Sequence, residues 1–221
     1  MIFNLKIKKM NEKPQYYQIH YLSQVYLDNA IFLSEKCKEI EELKKNNSGH
    51  CAYFYGSFFN CISCLESNIN ENYIRLTGDF RHPKFQNINI DNLNTIKSMW
   101  QMGIPRTAAY STLDKYQLLL TLCNKKQIDK SRNPYQNTSK IISLRNFLIH
   151  YEPEMRIINE VGFVEKLKIE KIFENIKFPL SPFTNDETPL FLSKIISYSF
   201  LNWVINTIVE FLKEFEERLK S

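Results

Sequence analysis

The sequence predicts an all-α protein: an up-and-down bundle of about five main helices, with an irregular insertion between the second and third. Two observations carry this. Apolar residues recur at three- and four-residue spacing over long segments, the period of a helix that packs one face. Only 5 Gly and 8 Pro occur in 221 residues, too few for a turn-rich sandwich or for disorder. With 43 % apolar residues, a chain of this length can bury a core without disulfides or metals.

Residues 1–14 read as a polar N-terminal tail and residues 15–221 as one helical domain. The first helix is expected over 16–45, where Ile19, Leu22, Val25, Ala30, Leu33, Cys37 and Ile40 supply the spacing. The second, 50–69, is far more apolar and reads as a central helix. Its Tyr53, Phe54, Tyr55, Phe58 and Phe59 are expected in core and interface; with no interleaved basic residues they do not form a stacking platform for bases. Residues 70–107 are the least periodic part, with one short helix around Asp91–Met102 and Asp91 as its cap.

A third main helix is expected from Thr107 or Ala108 to Cys123, followed by the polar connection Lys125–Asn137. Residues 138–151, TSKIISLRNFLIHY, read as a helix ended by Glu152–Pro153, because proline restricts the residue before it. A mixed region covers 154–189. Leu190–Leu219 reads as one long final helix, in which Phe200, Leu201, Trp203, Val204, Ile208, Phe211 and Leu212 complete the core or form a homodimer contact.

The odd count of five cysteines, with no secretory leader, predicts reduced and partly buried thiols. No run of 18 apolar residues is present, so the expectation is a cytoplasmic protein without a membrane segment. Net charge is +5, unevenly spread: residues 75–147 hold 12 Lys/Arg against 4 Asp/Glu, and residues 148–221 hold 9 against 12. A basic centre can steer an anionic partner such as RNA, or simply keep the surface soluble.

The chemistry concentrates in the helix at 138–151. Asn146 and His150 are four residues apart and share a face. Arg145 is five residues from His150, about 140° round the axis, and reaches the imidazole by swinging round or by meeting a second subunit. An imidazole can exchange a proton at neutral pH, and a guanidinium offers a fork of donors to phosphate. Together they suit metal-independent RNA cleavage through attack of the 2′-hydroxyl on the adjacent phosphorus. His150 would serve as general base or acid, Arg145 would stabilise phosphoryl charge, and Asn146 would orient either. Without such chemistry, Arg145 and His150 are a solvated pair near a helix end.

Lys125, Lys126, Lys130, Arg132 and Lys140 lead into this helix and are candidate substrate-binding residues, with Tyr151 beside His150 completing the set. His82, near Arg81 and Lys84, reads as an ordinary basic loop residue, and His20, on the first helix, as structural. Cys61 and Cys64, in CISC, lack a second pair at ligand spacing and read as helix interior. No metal ligand set and no cofactor are expected, and no glycine-rich phosphate loop, HExxH or nucleophile elbow occurs.

The string LRNFLIHYEPE, Leu144 to Glu154, resembles the signature of HEPN domains, helical proteins common among prokaryotic toxins, defence ribonucleases and nucleotidyltransferase partners. Arg145, Asn146 and His150 stand at the family's Arg, polar and His positions. The resemblance implies a four- or five-helix bundle, a homodimer whose two motifs form one composite cleft, and a toxin–antitoxin or phage-defence setting with an antitoxin or nucleotidyltransferase as partner. In one antitoxin-regulated branch a tyrosine stands two residues after the histidine; here that position is Glu152. Glu152 and Glu154 also place negative charge beside a phosphate site. Two other readings stay open, a non-catalytic HEPN-like binding or regulatory module and a structural oligomerising helical protein.

Overall fold

The computed structural model describes residues 4–7, 15–18, 20–44, 48–78, 85, 88–104, 110–152, 158–159, 162–163, 167–176, 179–184 and 191–221. They form a helical bundle: α1 (Ser23–Glu42), α2 (Ser48–Thr77), α3 (Ile90–Gln101), α4 (Thr112–Leu122), α5 (Tyr135–Ile149), α6 (Lys168–Phe173), α7 (Phe191–Ile195) and α8 (Tyr198–Lys220). Two antiparallel ribbons accompany them. β1 (Asn4–Ile7) pairs with β2 (Gln15–Gln18), and β3 (Ile158–Asn159) with β4 (Gly162–Phe163). Among the described residues no helix is long and apolar enough to cross a membrane.

The 30-residue α2 is the hub, packing against α1, α3, α4, α5 and α8. Its buried Phe54, Phe58, Cys61, Ile62, Leu65, Ile69, Tyr73 and Leu76 follow the helical period over six turns. α1 runs antiparallel to it: Ser57 Oγ donates to the Ala30 carbonyl at 2.7 Å, and Ser23, at the start of α1, meets Glu71, near the end of α2. α8 lays Phe200 against Phe54 and Phe58. Further along, Phe211 and Phe215 meet the edge-on ring of Tyr116 of α4 at 5.0 and 4.7 Å. The Tyr116 hydroxyl donates to the Leu65 carbonyl at 2.7 Å, so a fully buried tyrosine joins α2, α4 and α8 with its polar group satisfied.

Several boundaries differ from expectation, each for a local reason. Residues 15–18 pair as β2, so α1 begins at Ser23, and His20 is an exposed residue before the helix. α1 has no side-chain cap of its own. Instead the Glu71 carboxylate accepts from the Leu22 and Ser23 amides at 2.7 and 2.8 Å, placing negative charge on a helix N-terminus. α2 extends past 69 to Thr77. The cap of α3 is Asn89, whose side chain accepts from the Asp91 amide. Where one final helix was expected, the chain breaks after α7, and Ser197 caps α8 by accepting from Phe200 N. Residues 81–84, with His82, and residues 153–157, with Pro153 and Glu154, lie outside the described residues.

Candidate active site

Helix α5 opens three residues earlier than expected and closes at His150, whose amide donates to the Asn146 carbonyl at 3.0 Å. Tyr135, Thr138, Ile141 and Leu144 are its buried residues. At 100° per residue Arg145 falls inside the arc those four define, whereas Asn146 and His150 fall beyond its edge. The side chains follow this arithmetic. Asn146 and His150 are exposed side by side, and Arg145 turns inward.

The inward Arg145 does not point at His150. Its guanidinium donates to the Glu66 carboxylate of α2, which also accepts from the Thr112 hydroxyl of α4 at 3.2 Å. Three helices therefore meet at one carboxylate. The Arg145 side chain is 21 % exposed and that of Glu66 43 %, so the pair lies at the rim of the bundle. The Arg145 Nε is buried without a hydrogen-bond partner, an unmet donor in a charged group. Spacing gives no signal of this pairing, since Glu66 is 79 positions earlier in the chain.

His150 is the C-terminal cap residue of α5. Two large side chains beside it are exposed: Ile149 and Tyr151 are each 54 % exposed, and the Tyr151 ring meets Phe147 edge-on at 5.6 Å. Glu152 is exposed as well.

The basic connection is a built loop. Asn124, at a φ of 55°, ends α4, with Lys125 N donating to the Leu120 carbonyl and Asn124 N to that of Thr121. That is the pattern in which a left-handed residue satisfies the last carbonyls of a helix. The buried Gln117 side chain then clamps Ile128 twice, donating to its carbonyl at 2.7 Å and accepting from its amide at 2.9 Å. Arg218 of α8 donates to the Gln127 carbonyl at 2.9 Å. Together with Asp129, Glu214 and Arg218, the residues Lys126, Lys130 and Arg132 line an open cleft of about 640 Å³.

Its charge is mixed. Lys130 lies 3.7 Å from Asp114, and Arg132 lies 3.3 Å from Asp129. Hydrogen bonds from the Ser131 hydroxyl and amide, and then the Arg132 charge, hold the Asp129 carboxyl below the usual carboxylate range. Arg132 precedes α5 and His150 follows it, so the loop and the imidazole are separated by the helix length, roughly 20 Å. Lys140 lies between, ten residues and roughly 15 Å before His150. The structure thus brings Asn146 and His150 together, turns Arg145 aside, and puts the lysine-rich loop at the opposite end of the same helix.

A second constellation escaped the sequence reading. Cys37 and Glu41 of α1 and His50 of α2 place a sulfur, a carboxylate oxygen and an imidazole nitrogen within 4.8 Å of one another. The signal that could have shown half of it is the four-residue spacing of Cys37 and Glu41, which puts them on one helix face. Burial, then the Glu41 charge, pushes the Cys37 thiol up to about 12. The CISC cysteines Cys61 and Cys64 are buried in α2, as expected of a helix interior. Comparison of the chain with protein-family profiles, with curated proteins and with solved structures gives no match.

Proposed function

We propose that the protein is a HEPN-like, metal-independent endoribonuclease, an up-and-down bundle that acts as a homodimer with Asn146 and His150 of each copy facing a shared cleft. The supporting observation is the exposed placement of Asn146 and His150 on one face, next to the exposed Ile149 and Tyr151. Exposed Ile149 and Tyr151 side chains gain from burial against a second copy. In such a pair one imidazole takes the 2′-hydroxyl proton as the oxygen bonds to phosphorus. That imidazolium returns the proton, through a water molecule, to the departing 5′-oxygen as its bond to phosphorus breaks, leaving a 2′,3′-cyclic phosphate and a 5′-hydroxyl. Arg145 serves this chemistry by exchanging Glu66 for a phosphoryl oxygen. Lys126, Lys130 and Arg132 hold a more distant part of the strand, and a toxin–antitoxin or phage-defence role suits such an enzyme.

The test compares wild type with His150→Ala on mixed RNA in EDTA, with circular dichroism verifying the fold under the same conditions. The expected result is chelator-resistant cleavage that falls by about 10²-fold or more in the variant. Equal inactivity of two folded, dimeric proteins overturns it. That outcome favours the second reading, a non-catalytic binding or regulatory module, for which the observation is the ion pair that engages Arg145 within its own chain.

A further inference from the structure

We propose that Cys37, Glu41 and His50 form a Zn²⁺ site that clips α1, α2 and α8 together, with water as the fourth ligand. The three residues converge where the C-terminal end of α1 meets the N-terminal end of α2. Glu41 Oε1 lies 2.9 Å from His50 Nε2 and 3.8 Å from Cys37 Sγ. In tetrahedral zinc coordination by nitrogen, oxygen and sulfur, neighbouring ligand atoms stand roughly 3.3–3.6 Å apart. Both separations from the Glu41 oxygen are therefore within about half an ångström of those a tetrahedral zinc requires.

The chemistry of the set is equally specific. One thiolate and one carboxylate cancel the charge of a divalent cation, and a neutral imidazole completes a mixed sulfur, nitrogen and oxygen shell, which suits Zn²⁺ better than Mg²⁺ or Ca²⁺. Cys37 and His50 are buried, with 0 % and 1 % exposure, where an ionised thiolate needs a counter-charge. The surroundings supply the outer contacts that orient ligands. The Tyr198 amide, at the first turn of α8, donates to Glu41 Oε1 at 2.6 Å. The Phe183 ring packs edge-on against the His50 imidazole at 4.9 Å. The Glu41 side chain is 15 % exposed, a narrow opening for one water. Cys51, next to His50 but exposed, stands outside the cluster.

The test uses Co²⁺ and Zn²⁺ alone on the full chain, after dialysis against a chelator. Wild type is expected to bind one Co²⁺ per chain, with the near-ultraviolet charge-transfer band of a cobalt thiolate and the visible bands of a four-coordinate ion, and Zn²⁺ should displace it. Cys37→Ser should lose the charge-transfer band, and His50→Gln should weaken binding at least tenfold. Cys51→Ser should behave as wild type. Zn²⁺ should also raise the melting temperature of wild type and leave that of Cys37→Ser unchanged. An apo-protein that unfolds and is restored by one Zn²⁺ per chain supports the site equally. Folded wild type that takes up no cobalt, or a charge-transfer band that survives in Cys37→Ser, overturns it. None of these readouts depends on RNA cleavage.

Discussion

Arg145 and Glu66 bind each other across the α2–α5 contact, so the arginine at one end of the RNFLIH string faces the bundle while the next residue, Asn146, faces solvent. The pair joins structure to proposed activity, because the guanidinium that would serve a phosphate is the one that ties two helices together.

A double-mutant cycle on Arg145→Ala and Glu66→Ala, followed by urea unfolding, is expected to give a coupling of about 1 kcal/mol, the scale of a rim-exposed ion pair. Arg145→Ala alone should cost less than Glu66→Ala alone. The second change leaves a largely buried guanidinium short of another acceptor, in addition to the Nε that already lacks one.

Under the ribonuclease reading, mixing Arg145→Ala chains with His150→Ala chains should recover part of the cleavage that each variant lacks. The mixed dimer holds one intact arginine and one intact histidine in the shared cleft. Recovery should follow the mixed-dimer fraction measured by native mass spectrometry. A site complete within one chain gives no recovery.

Of the five thiols, only Cys51 is exposed, so titration of folded protein with a thiol reagent should show one fast and four slow reactions. Burial is the leading cause that raises Cys37, Cys64 and Cys123 from an ordinary value of 9.0 to about 12, and it raises Cys61 further. The native state therefore holds its thiol protons where the unfolded chain releases them. Stability should be unaffected by these groups below pH 9 and should fall between pH 9 and about 12, which alkaline urea titrations of the apo-protein would measure. Cys61→Ala should reduce that fall.

Tyr116→Phe should destabilise the fold by about 1–2 kcal/mol, since it leaves the Leu65 carbonyl without its side-chain donor in a buried site. Tyr116→Ala should cost about 3–5 kcal/mol through the cavity left between Phe211 and Phe215. Differential scanning calorimetry of the two variants separates the hydroxyl from the ring.

Period and composition determined the helical class, the central apolar segment with its buried Phe54 and Phe58, and the core-forming face of the last helix, because those follow from which residues must leave water. The shared face of Asn146 and His150 was equally legible, being fixed by a four-residue spacing. Tertiary structure alone decided the rest. Glu71 caps α1 from the far end of α2, Glu66 captures Arg145 from 79 residues away, and Glu41 and His50 meet at a hairpin end to face Cys37. Each is a carboxylate whose partner is brought near by packing between helices, and local periodicity carries no information about which charged group a helix will meet when its apolar face is buried. The RNFLIH string thus specified which side chains stand together on α5, and only the fold decided that its arginine would turn inward.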